Sequence, residues 1–180
     1  MRLNALQQIR RGMDLCLGQG LSAPTLTLLF SGIDKMAWLS CGKEEVTRHD
    51  FLAWVERYLL PDSGLGCTSI ELYSARCGIV HTQSPDARAT RDGMARKIFY
   101  SWGTGRSEDL QAYIDLADPG GAVALDIGQL VKAFDVAVDR FVGESDQTPA
   151  LAQDVEQRLQ KVFCDVKPGD WPPLPAAATS

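Results

Sequence analysis

Long hydrophobic runs, clustered cysteines, more than two histidines and an excess of positive charge are all missing from this sequence of 180 residues. Its apolar stretches are short and interrupted, which excludes a membrane-spanning helix. No apolar core followed by small residues comes after Met1-Arg2-Leu3-Asn4, so no signal peptide is expected and the cytoplasm is the expected location. The five cysteines, Cys16, Cys41, Cys67, Cys77 and Cys164, are odd in number and form no Cys-x-x-Cys pair. Beside them stand only two histidines, His49 and His81, whereas a structural zinc needs clustered sulfur and imidazole ligands. No metal and no cofactor is expected, and the thiols read as reduced, small apolar side chains. A formal net charge of −5 argues against non-specific coating of nucleic acid but leaves room for a local basic cleft.

What is present is helical text. Leu3, Leu6, Ile9, Met13 and Leu17 recur at helical spacing over 3–17, with Gly18 and Gly20 as the stop. Ser22 and Pro24 open a second helix, striped by Leu26, Leu29, Phe30, Ile33, Met36 and Ala37, with Gly42 past its end. A third starts at Thr47 with Asp50 as a capping-box variant and Val46 with Phe51 as a staple, and it stops at Pro61. The fourth opens on the capping box Thr68-Ser-Ile-Glu71 and runs through His81, ending before Ser84-Pro85. Residues 86–106 read as a short helix passing into an irregular or extended stretch closed by Gly103-Thr-Gly105, followed by a weak helix near 108–117. After the turn Asp118-Pro-Gly-Gly121 the periodic run from Val123 to Val142 predicts one long helix over 122–143, with Asp126, Asp135 and Asp139 on its outer face. A last helix starts at Thr148-Pro149 and carries Leu151, Val155, Leu159, Val162 and Phe163. Short connections make antiparallel neighbours, so the expected fold is an all-α antiparallel bundle forming one domain over 1–166. The Pro-rich tail 167–180 falls outside any packed core.

The chemistry-bearing segment is Arg76-Cys-Gly-Ile-Val-His81 in the fourth helix. On a wheel of about 100° per residue, Arg76 falls between Leu72 and Ile79 on one side and Tyr73 and Val80 on the other. Glu71, Ser74 and Gly78 occupy the opposite face, where an idle arginine would fit better. A guanidinium on an apolar face needs a carboxylate, a second subunit or a bound anion, because burying it unpaired costs several kcal/mol. Asp34, at the edge of the second helix's stripe, is the candidate carboxylate. His81 comes five residues after Arg76, about 140° round an ideal helix. A long arginine side chain, a helix loosened at Gly78 or at its end, or a second copy of the helix would bring the two together. Tyr73 and Cys77 flank the arginine as supporting residues. Cys77 and His81 also stand at i and i+4, but no orienting Asn or Asp completes a thiol–imidazole dyad.

Downstream, Arg88, Arg91, Arg96 and Lys97 face only Asp86 and Asp92, and Tyr100 and Trp102 follow. Cations interleaved with aromatics suit single-stranded RNA, the former meeting phosphates and the latter stacking on bases. A solvated basic surface is the plainer alternative.

Arg-x4-His late in a helix of a small helical chain resembles the HEPN superfamily. So does the surrounding text, Leu29-Phe-Ser-Gly-Ile-Asp34 and Leu72-Tyr-Ser-Ala-Arg-Cys-Gly-Ile-Val-His81, and the likeness spans about 3–82, with later helices over 122–163 completing the bundle. The resemblance implies a homodimer with a composite, metal-independent RNA-cleaving cleft, plausible as a toxin or other defence effector with a neutralising antitoxin partner. Arg76 would hold the phosphate and His81 would act as general acid or base, leaving a 2′,3′-cyclic phosphate. Two positions depart from the family pattern. Cys77 stands where ribonuclease members commonly carry Asn or Asp, and Gln83 where some toxin members carry a modifiable tyrosine. The alternative within the same resemblance is a catalytically silent domain that binds RNA, a nucleotide or a protein.

Overall fold

The computed structural model describes residues 4–82 and 88–161. Helix α1 (Asn4–Gly18) turns back at Gly20, whose positive φ of 70° suits glycine, into α2 (Ser22–Ser40). Helix α3 (Arg48–Trp54) passes into a π-helical turn, Val55–Leu59, and α4 covers Ser69–Thr82. A short α5 (Arg88–Arg91) leads to strand β1 (Lys97–Ser101), α6 (Ser107–Ala117) and strand β2 (Ala122–Asp126). Two helices, α7 (Ile127–Gln147) and α8 (Pro149–Leu159), finish the described chain. None of the described helices is long and apolar enough to cross a membrane.

Both predicted capping boxes form. Thr47 accepts from the Asp50 amide while the Asp50 carboxylate accepts from the Thr47 amide at 2.9 Å. At α4 the Thr68 amide donates to Glu71 at 2.7 Å and the Glu71 amide to Thr68 Oγ1 at 3.3 Å. Helix α2 is the central rod, packed by α1, α3, α4, α7 and α8. Its Leu29, Phe30, Ile33 and Met36 are fully buried together with Trp54, Phe134 and Phe141. Gly32 lets α7 come close, since a Cβ there would stand 2.7 Å from the Phe134 ring. Asp135 of α7, expected on an outer face, instead pairs with Arg10 of α1 at 2.6 Å.

The long helix expected over 122–143 begins five residues later. Residues 122–126 form β2, which pairs in parallel with β1, Lys97 opposite Ala122 and Ser101 opposite Asp126. With α6 as the crossover this is a small βαβ unit. Ala122 and Ala124 pack under Ile114 of α6, while Val123 and Leu125 join the main core. A strand buried on both faces reads as a continuous apolar run, which periodicity alone does not separate from a helix. Asp126 then caps α7, accepting from the Gln129 amide at 2.8 Å, and this cap sets the true helix start. The described chain is mostly helical, as expected, and the stretch read as irregular or extended supplies β1; the correction is confined to 122–126, a strand in place of the first turn of a helix. Val162, Phe163 and the tail 167–180 lie outside the described residues.

Candidate functional site

Arg76 lies where α4 crosses α2. Its Nε and Nη2 both donate to Asp34 Oδ2, at 2.9 and 2.7 Å. The two side chains keep 23% and 28% of their exposure, so the pair sits at the rim of the core. Burial works against the guanidinium charge, but Asp34 outweighs it and moves the Arg76 pKa upward. Tyr73 stands one turn earlier, edge-on to Phe51 with ring centres 5.3 Å apart, and the Arg48 guanidinium lies 5.5 Å over its ring. Burial, then the neighbouring Cys77, raise the Tyr73 pKa. The half-buried Cys77 interacts with both Tyr73 and Arg76. Asp34, Tyr73, Arg76 and Cys77 are thus brought together, and Arg48 is a member that sequence reasoning passed over.

Helix α4 is continuous through Gly78 to Thr82, so the loosening at Gly78 does not occur. Positions 76 and 81 therefore remain about 140° apart around one axis. The side chains of His81 and Arg88 lie outside the described residues.

The downstream cations and aromatics do not form one exposed surface. Arg96 donates through Nε to Glu71 Oε1 at 2.5 Å, and through Nη2 to Glu71 Oε2 at 3.1 Å and to the Gly66 carbonyl at 2.9 Å. Glu71 is buried at 4% exposure and Ser74 at 2%, which corrects the reading of their face as the open one: α4 is packed on both sides. The Tyr100 hydroxyl is buried with no hydrogen-bond partner among the described residues, and burial raises its pKa. Trp102, half exposed, rests against Gly20. Arg91 and Lys97 make interactions of their own. Glu71, which organises this region, was legible only as a helix cap.

Two buried carboxylates carry a pH dependence. Burial pushes Glu71 up, but Arg96 and Thr68 together hold it below its ordinary 4.5. Lys43 and Thr47 hold Asp50 below its ordinary 3.8. Depressed folded values stabilise the protein above the unfolded ones, and the stabilisation is lost as pH falls through the folded values. Asp135 runs the other way, since burial raises it in spite of Arg10. With two carboxylates against one, the urea midpoint is expected to fall between neutral pH and about pH 3. Glu71→Gln should flatten that fall, and an unchanged profile in the variant would remove Glu71 from this account.

Among the described residues no cluster of His, Cys, Asp and Glu is arranged to hold a metal ion. Burial pushes the Cys67 thiol up to about 12, leaving it protonated and unreactive at neutral pH. Comparison with protein-family models, with curated proteins and with solved structures found no match to this chain.

Proposed function

We propose that this chain is a HEPN-type, metal-independent endoribonuclease acting as a homodimer in the cytoplasm, with a defence or toxin role and a neutralising protein partner. The observation that carries the reading is Arg76, a permanent cation at the rim of the core, oriented by Asp34 through two hydrogen bonds. Such a guanidinium suits an anionic phosphorus centre, because its donors are fixed before the phosphate arrives. His81 supplies the proton transfer that attack by a ribose 2′-oxygen requires, imidazole titrating near neutral pH. In a continuous α4 the two positions lie about 140° apart around the axis, and a second copy related by a two-fold axis would bring its His81 to each Arg76.

A second reading, a catalytically silent HEPN-like binding domain, is favoured by the commitment of Arg96 to Glu71 and by Cys77 directly after the arginine. The deciding experiment incubates wild type and His81→Ala with total RNA in EDTA. The nuclease reading expects cleavage to 2′,3′-cyclic phosphate ends by wild type and a loss of about 10²–10⁴-fold in the variant. RNA equally intact in both would sink the nuclease reading and point to the silent domain.

A further inference from the structure

The two edges of the parallel sheet are not equivalent. The Lys97 amide donates to the Gly121 carbonyl, and Lys97 stands opposite Ala122. Odd-numbered residues of β1 therefore turn their main-chain groups toward β2, and even-numbered ones turn them away. On β2 two of the outward groups are taken by Gln111 of α6. Its nitrogen donates to the Ala122 carbonyl at 3.4 Å, and its oxygen accepts from the Ala124 amide at 2.7 Å. On β1 the outward amide of Arg96 donates to Glu71 at 3.4 Å. Beyond it, the outward N–H and C=O groups of Ile98 and Tyr100 find no partner among the described residues.

This open stretch borders a groove of about 330 Å³, walled by Leu26 of α2 and by Ala75 and Ile79 of α4, with Trp102 at one end. At that end Ser22 and Ala23 begin α2. The Leu21 N-cap makes no side-chain bond to the helix, and the first turn holds no acidic residue. Pro24 has no amide proton, and the Thr25 amide is taken by the Leu21 carbonyl. The amides of Ser22 and Ala23 are left at the positive end of a 19-residue helix.

We propose that the groove binds the extended C-terminal end of a partner polypeptide, which adds a third strand to β1 at Ile98 and Tyr100. One apolar side chain enters the pocket, and the terminal carboxylate meets the first turn of α2. Main-chain donors and acceptors at two-residue spacing are matched by an extended polypeptide, in the manner of β-strand addition. The charge of a free carboxylate complements the uncapped helix end. The proposal is independent of Arg76 and of the nuclease reading.

The test uses the full chain and an array of synthetic hexapeptides, all alike except for randomised last three residues, each made as free acid and as C-terminal amide. Binding is read by fluorescence polarisation, and the site by amide shifts of Ile98 and Tyr100 in NMR spectra. The expected result is a set of free acids that shift both amides and bind about tenfold more tightly than their amides, the worth of one charge-assisted contact. Ala23→Asp places a negative side chain in the first turn, which favours the helix itself, and is expected to weaken the free acids while leaving the fold intact. No peptide that shifts these amides, amides binding as well as acids, or a single-stranded RNA shifting them where peptides do not, would each overturn the proposal.

Discussion

Replacing Arg96 by alanine is expected to lower the stability of the fold by about 1–3 kcal/mol, the cost of leaving a buried acceptor short of its donor. Only the Glu71 side of the pair is buried, since the Arg96 side chain keeps 37% of its exposure. The Glu71 side chain retains only 5% of its exposure. It receives three hydrogen bonds from Arg96, one of them main-chain, besides that from the Thr68 amide. Without the guanidinium the carboxylate keeps only the donors of Thr68 and the amide of residue 96 to support its charge. Urea unfolding reads the loss directly. A double-mutant cycle identifies its source: in a Glu71→Gln background the same Arg96→Ala change should cost far less, since no buried charge is left stranded. If Arg96 served chiefly to hold RNA, its removal would leave the urea midpoint in place and weaken RNA binding instead. An unchanged midpoint would therefore return Arg96 to the nucleic-acid surface that the sequence suggests.

The second large effect concerns the proposed nuclease. Arg76→Ala and His81→Ala are each expected to abolish cleavage when prepared alone. Mixed and allowed to exchange subunits, they should recover about a quarter of wild-type activity, half the dimers being mixed and half their sites intact. The expectation follows from the unbroken α4: if Arg76 works with the His81 of a second copy, a mixed dimer rebuilds one complete pair. If both residues worked within one chain, mixing would restore nothing. Arg76→Lys serves as a control for folding, since it keeps a cation beside Asp34 while losing the planar fork. Failure of the mixture to recover, with each variant folded and wild type active, would remove the composite cleft from the proposal.

The local signals of this sequence were sufficient for most of the helices. Capping boxes at Thr47 and Thr68 act within three residues, and the glycine at Gly20 acts on a single φ angle, so neither depends on the rest of the chain. The arginine on an apolar face was also readable, with Asp34 as the candidate carboxylate, because a buried guanidinium demands a carboxylate, a second subunit or an anion to offset its charge. Three features belonged to the tertiary structure alone. The run 122–126 became a strand because α6 and the main core bury it from both sides, and a doubly buried strand loses the alternation by which a strand is recognised. Glu71 and Arg96 stand 25 residues apart, beyond the reach of any helical spacing, and their union turned an apparent RNA-binding cation into the partner of a buried carboxylate. Of the two sheet edges, that of β2 is met by Gln111 and that of β1 is left open at Ile98 and Tyr100, a fact of register that no composition or periodicity encodes. Short-range hydrogen bonding thus specified where the helices begin. Long-range packing decided which charges were left facing outward.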